Sequence, residues 1–308
     1  MIIEPVPLAQ YYQAALFLAG GAGQDAAQSA QARMLEHFAK TYVSRATLYQ
    51  ARAGAGLAPG QERVLAASML VQSAGKTGFL VHSPAASPGV DFDALVAMLA
   101  HVSRLGLAGG LSMVQELLTP GPSQDITALQ RAGYELLAEL IYMRQNVSEA
   151  IAPSPLAGAG RRNYGQYTEQ ELGEVILRTY EDSRDCPRLR GVRRIEDIIA
   201  GHKASGMFFP DGWAIYYLGG KPAGCILINE STADQEAELV YFGVVPEFRG
   251  KGLSRLMLRE GAAQVRSCGK RRLFLAVDAQ NHFACRLYES EGFKATHRSL
   301  AYAIFHGV

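Results

Sequence analysis

No stretch of this 308-residue chain approaches the ~18 uninterrupted apolar residues that a membrane-spanning helix needs. Cysteine is scarce: Cys186, Cys225, Cys268 and Cys285 are too far apart for a C-x-x-C pair and too few for a disulfide scaffold. Net charge is nearly absent, since 30 Lys and Arg stand against 29 Asp and Glu. Such a balance gives no field that would make nucleic acid or an anionic membrane the main partner. At the start of the chain, Glu4, Pro5 and Pro7 interrupt the place where a signal peptide carries a basic end and an apolar run. Gly75-Lys76-Thr77 lacks the leading glycine of a nucleotide P-loop, because position 70 is Leu70. These absences leave a cytoplasmic protein acting on small molecules or peptides, with no metal site expected.

What is present is 48% hydrophobic content, enough for two ordinary cores at roughly 150 residues per domain. The Pro-, Gly- and Ala-rich run from Ala152 to Gly160 reads as a connector. We therefore expect a domain over 1–150, a linker over 151–164 and a second domain over 165–308. Charged residues number 20 before position 151 and 39 after it, so the second half is the one that carries chemistry.

Periodicity predicts the same order of elements in both halves. In the second, a strand from Ala237 to Val245 is followed by a glycine turn and an apolar-striped helix ending near Gly269. A strand from Arg272 to Val277, a helix from Asn281 to Glu291, the stop at Gly292 and a strand from Phe293 complete the series. In the first, the matching pieces are Thr77–His82, Phe92–Leu105, Leu111–Leu118, Ser123–Arg131, Gly133 and a strand from Tyr134. Leu118 to Gly133 and Val277 to Gly292 are each 15 residues apart. This is the pattern of a diverged duplication; the other reading is two unrelated mixed domains.

The chemistry centres on Arg249-Gly250-Lys251-Gly252-Leu253-Ser254. A glycine turn that opens a helix points successive amides into one concavity, where the helix dipole favours an anion such as a pyrophosphate. Gly250 and Gly252 allow close backbone approach, while Arg249 and Lys251 add cationic groups.

This run resembles motif A of the GNAT superfamily, the Gcn5-related N-acetyltransferases, written [Gln/Arg]-x-x-Gly-x-[Gly/Ala]. Ser254 departs from it at the last place. The strand from Ala237 to Pro246 is similar to the fourth GNAT strand, and Asn281-His282-Phe283-Ala284-Cys285-Arg286-Leu287-Tyr288, closing on Gly292-Phe293, is similar to the family's Asn-x-x-Ala-x-x-Leu-Tyr-x-x-x-Gly-Phe segment.

The resemblance covers the second half and implies an α/β, layered α+β fold. Each of two tandem GNAT-like domains would have a mixed, mostly antiparallel central sheet flanked by helices. It also implies acetyl-coenzyme A as cosubstrate, a primary amine of a small molecule or peptide as acceptor, and N-acetyltransfer by direct attack. Phe242, Gly243, Val244 and Val245 would pair with the pantetheine arm, and Asn281 and Ala284 would line the cofactor. Tyr288 would be general acid and Glu238 general base, acting directly or through water.

Other readings of these residues stay open: Glu238 as a solvent-exposed strand-end carboxylate, Tyr288 as a core filler, and the whole as a non-catalytic acetyl-coenzyme A sensor or scaffold. The segment from Glu181 to Arg194, with five arginines, falls where GNATs cover the acceptor; a solvated mixed-charge face is the blander reading. His202 and His297 read as structural histidines. In the first half the matching turn, Ser83 to Asp91, has two prolines, no cation and an acidic residue, so coenzyme binding is not expected there. The pairing of a degenerate with an active copy resembles the tandem arrangement of mycothiol synthase and points to a monomer.

Overall fold

The computed structural model describes the chain except residues 21–25, 43, 54–62, 234 and 306–308. The chain divides into two compact units, Met1–Leu137 with Leu300–Val308, and Ala138–Ser299.

Unit 1 contains β1 (Ile2–Pro5), α1 (Tyr11–Leu18), α2 (Ala26–Thr41), β2 (Ala46–Ala53), β3 (Arg63–Ser73), β4 (Thr77–His82), α3 (Phe92–Ala108), β5 (Met113–Leu118) and α4 (Gln124–Arg131), and β6 (Glu135–Asn146) starts in it. Unit 2 contains β7 (Ala159–Asn163), α5 (Glu169–Thr179), α6 (Ile195–Lys203), β8 (Trp213–Leu218), β9 (Lys221–Glu230), β10 (Glu236–Val244), α7 (Leu253–Ser267), β11 (Arg272–Asp278) and α8 (His282–Ser290), and β12 (Lys294–Phe305) starts in it. The order of α-helices and strands is the same in both series. Within each unit the sheet is antiparallel except for one parallel pair, β4 with β5 and β10 with β11.

The cut does not fall at 150, where the composition changes. It falls inside β6, whose residues from Leu140 pair with β11 in unit 2, while β12 from Leu300 pairs with β5 in unit 1. Each unit thus takes its last strand from the other half of the chain. Periodicity locates such strands but not the sheet that receives them. The expected linker is also partly structured: Leu156 packs on the core of unit 2 and Ala159–Asn163 form β7 against β8.

In unit 2 the apolar stripe of α7, with Leu253, Leu256, Met257, Ala262 and Val265 buried, covers one face of the sheet. Gly261 allows the close approach, because a Cβ there would lie 2.8 Å from Ile226 Cδ1. The other face is covered by α5 and α6, through Leu172, Val175, Ile176 and Ile199 against Trp213, Ile215 and Leu227. A capping box between Thr168 and Glu171 starts α5. Unit 1 repeats the plan, with α3 and α4 packed on one cluster and α1 and α2 on another. Among the described residues no helix is long and apolar enough to cross a membrane.

Candidate active site

The parallel strands β10 and β11 pair only at Glu236 with Arg272, Ala237 with Leu273 and Glu238 with Phe274. Beyond Glu238 they separate. On its other edge β10 stays paired with β9 through Val244, with a register shift between Leu239 and Tyr241 that leaves Val240 as an extra residue. Such a bulge bends its strand and ends pairing locally. The result is a fork, and a cavity of about 670 Å³ opens in it, walled by Leu239 to Val244 on one prong and Leu275 to Val277 on the other. Backbone groups on the free edge of β10 face an opening with room for an extended chain.

At the mouth of the fork stands the glycine turn. Gly250 and Gly252 have φ of 74° and 84°, left-handed values that cost a side chain strain. Gly252 is the N-cap of α7 and supplies no side-chain cap, so the first amides of that helix keep their hydrogen-bonding capacity. Gly250 and Ser254 line the cavity; Lys251, Gly252, Leu253 and the fully buried Val245 do not. The Lys251 ammonium lies 5.4 Å from the Phe248 ring centroid.

Arg249 lines the cavity as well, and its side chain also makes main-chain hydrogen bonds. Its Nε donates to the Val244 carbonyl at 3.0 Å, and its terminal nitrogens to the carbonyls of Thr179 at 3.1 Å, Glu181 at 2.7 Å and Asp182 at 3.4 Å. Its charge caps the C-terminal end of α5. Gly243 serves the same junction, since a Cβ there would meet Thr179 Cβ at 2.7 Å.

Tyr288, Asn281 and Ala284 of the α8 segment all line the cavity, with Phe242, Gly243 and Val244. Tyr288 is 6% exposed, between Phe242 and Phe293, and its hydroxyl has no hydrogen-bond partner among the described residues. Burial, then the nearby Asp185 charge, raises its pKa above 10.0, so the hydroxyl keeps its proton. Asn281 caps α8 by accepting from the Ala284 amide at 3.3 Å.

Glu238 sits at the vertex of the fork, outside the cavity wall. Its Oε2 accepts from Ser205 Oγ at 2.9 Å, and burial raises its pKa against that hydrogen bond. His202 is held neutral, its pKa lowered to about 3 by burial and by Arg193.

Sequence reasoning missed the wall formed by Thr179, Tyr180 and Asp182 to Asp185 as individual groups. Their position depends on the Arg249 hydrogen bonds, which span some 70 positions of sequence, and no local pattern announces them.

The family model described as the acetyltransferase (GNAT) family matches residues 176–293. N-acetyltransferase YdgE of Bacillus subtilis, itself uncharacterized, is 31% identical over 134 residues, 43% of this chain and 74% of that protein. The chain belongs to the GNAT acetyltransferase family. A second relative, mycothiol acetyltransferase of Geodermatophilus obscurus, is 27% identical over 173 residues, 53% of this chain and 54% of that protein. The match thus spans about half of that relative's length. Among solved structures, a tandem GNAT protein from the clavulanic acid biosynthesis pathway is 16% identical and aligns over 100% of this chain and 99% of its own, with a TM-score of 0.53. That likeness is one of fold, and it covers both units.

The two GNAT-like forks differ in their contents. In unit 1, β4 and β5 also stop pairing after three residues, at Phe79 and Gln115. There His82 Nδ1 lies 2.7 Å from Glu116 Oε1 across the fork, and Nε2 lies 3.2 Å from Asp125 Oδ1 of α4. Burial alone would lower the His82 pKa, but the Glu116 charge and hydrogen bonds to both carboxylates raise it to about 10. At the start of α3, Asp91 caps the helix by accepting from the Ala94 amide at 2.9 Å. An internal carboxylate stands where α7 leaves its amides uncapped.

Proposed function

We propose that unit 2 binds acetyl-coenzyme A in the fork between β10 and β11 and transfers its acetyl group to a primary amine of a small molecule or peptide. The observation that carries this reading is the fork itself: an open strand edge leads from an uncapped helix N-terminus at Gly252 to a buried tyrosine with an unpartnered hydroxyl.

The amides of Gly250 to Ser254 hold the pyrophosphate, and Lys251 adds charge beside it. Main-chain groups of Phe242 to Val245 pair with the pantetheine arm, with Asn281 and Ala284 on the facing wall. The amine nitrogen attacks the thioester carbonyl carbon, the C–N bond forms and the C–S bond breaks. Tyr288 gives its proton to the departing thiolate. Glu238 takes the amine's proton through water, a task suited to a carboxyl with a raised pKa. Unit 1 does not bind the coenzyme in this scheme, because its own carboxylates fill both the fork and the helix terminus.

A panel of primary amines incubated with acetyl-coenzyme A and assayed for free thiol tests the reading. Amine-dependent thiol release is expected, reduced about 10²–10⁴-fold in Tyr288→Phe. Tight acetyl-coenzyme A binding with no amine-dependent release would favour a sensor instead.

A further inference from the structure

Asp185 lies on the segment that follows α5, lines the cavity and is exposed to it. Its Oδ1 accepts from the Asp278 amide at 3.3 Å, and the Asn281 side chain also donates to it. Among the described residues no cation pairs with it. The adjacent Arg184 turns its guanidinium to the Phe283 ring, 5.5 Å from the centroid. Asp278, its acidic neighbour, is 3% exposed and already accepts from Gln280 N at 2.9 Å and Cys186 N at 3.2 Å.

Two neighbouring carboxylates repel one another, and a cation placed beside them offsets that repulsion. No described residue supplies that cation, and Asp185 faces the cavity. Resting on the acyl-transfer reading, we propose that Asp185 is the anionic anchor of the acceptor subsite, pairing with the ammonium form of the primary amine before transfer.

Three further observations support the assignment. Tyr288, 6% exposed, lines the same cavity, and its hydroxyl has no hydrogen-bond partner among the described residues. Asp185 lines that cavity together with Tyr180, Tyr241 and the proposed proton donor Tyr288. The segment is also fixed rather than loosely draped: Arg249 holds the carbonyls of Glu181 and Asp182, Ser183 Oγ accepts from the Asp185 amide at 3.1 Å, and Asp182 and Cys186 adopt left-handed φ of 51° and 39°. Desolvation and then the Asp278 charge hold the Asp185 carboxyl above its ordinary range, and an incoming ammonium would offset the Asp278 charge.

The test uses the full chain with the best acceptor from a panel of ethanolamine, glucosamine and lysine. Asp185→Asn keeps an oxygen for the Asp278 amide; it is expected to raise the acceptor KM about 10-fold or more, with acetyl-coenzyme A affinity unchanged. Asp185→Glu, which restores the charge, should recover most of that loss. An unchanged acceptor KM in Asp185→Asn would overturn the proposal. So would equal losses of acceptor and acetyl-coenzyme A affinity in both variants, the mark of a merely structural residue. No thiol release from the wild-type chain with any amine would instead remove the acyl-transfer reading, and the proposal with it.

Discussion

The guanidinium of Arg249 donates to the carbonyl of Glu181 at 2.7 Å, tying the first residue of the glycine turn to the segment that walls the cleft after α5. The arginine expected beside a pyrophosphate lines the cavity and also donates to main-chain carbonyls. Its planar fork reaches Val244, Thr179, Glu181 and Asp182 together, which a single ammonium does not.

Arg249→Lys should therefore raise the acceptor KM while changing acetyl-coenzyme A affinity by no more than about threefold. Steady-state kinetics with each substrate varied in turn checks this. A loss confined to the coenzyme would return Arg249 to the phosphate.

Gly252→Ala places a side chain at a φ of 84°, at a cost of about 1–3 kcal/mol. A lowered Tm and weaker acetyl-coenzyme A binding are expected together, because the same turn sets the amides of α7. Thermal melts with and without the coenzyme read both; wild-type values in both would mean that the turn tolerates a Cβ.

The His82 cluster gives unit 1 a pH signature. With a folded pKa of about 10 against 6.5, His82 contributes stability that is fully present below pH 6.5 and is lost as pH rises through about 10. Asp125, lowered to about 2 from 3.8 chiefly by the hydrogen bond from His82, contributes above pH 3.8 and loses its share as pH falls through about 2. His82→Ala leaves the buried Glu116 carboxyl without its partner and should destabilise unit 1 by about 3–5 kcal/mol. Chemical denaturation across pH checks both statements, and a flat alkaline limb in the wild-type chain would contradict them.

A fragment of residues 165–308, the domain that composition alone marks out, lacks both the β6 residues that pair with β11 and the whole of β7. It should aggregate or stay unfolded, since an uncovered sheet edge invites pairing with other chains. Circular dichroism and size-exclusion chromatography test this; a soluble, cooperatively folding fragment would show the strand exchange to be dispensable.

Much of the architecture was legible because it is written locally. The apolar stripe from Leu253 to Val265 and the stops at Gly269 and Gly292 each lie within a few turns of the element they define. The cradle and the α8 segment were legible for the same reason: Gly252 and Asn281 act on their own helices. Long-range geometry was not. Neither the destination of β6 and β12 nor the clamp from Arg249 to the end of α5 leaves a period in the sequence. Glu238 shows the limit most clearly, for alternation along β10 fixes its face but not that β10 and β11 diverge immediately after it.

Isothermal titration of the full chain with acetyl-coenzyme A tests the central claim most directly. One site per chain is predicted, abolished in Gly252→Glu and retained in His82→Ala if that variant folds. No binding, or two equivalent sites, would contradict an account in which one fork is open and the other is filled by its own carboxylates.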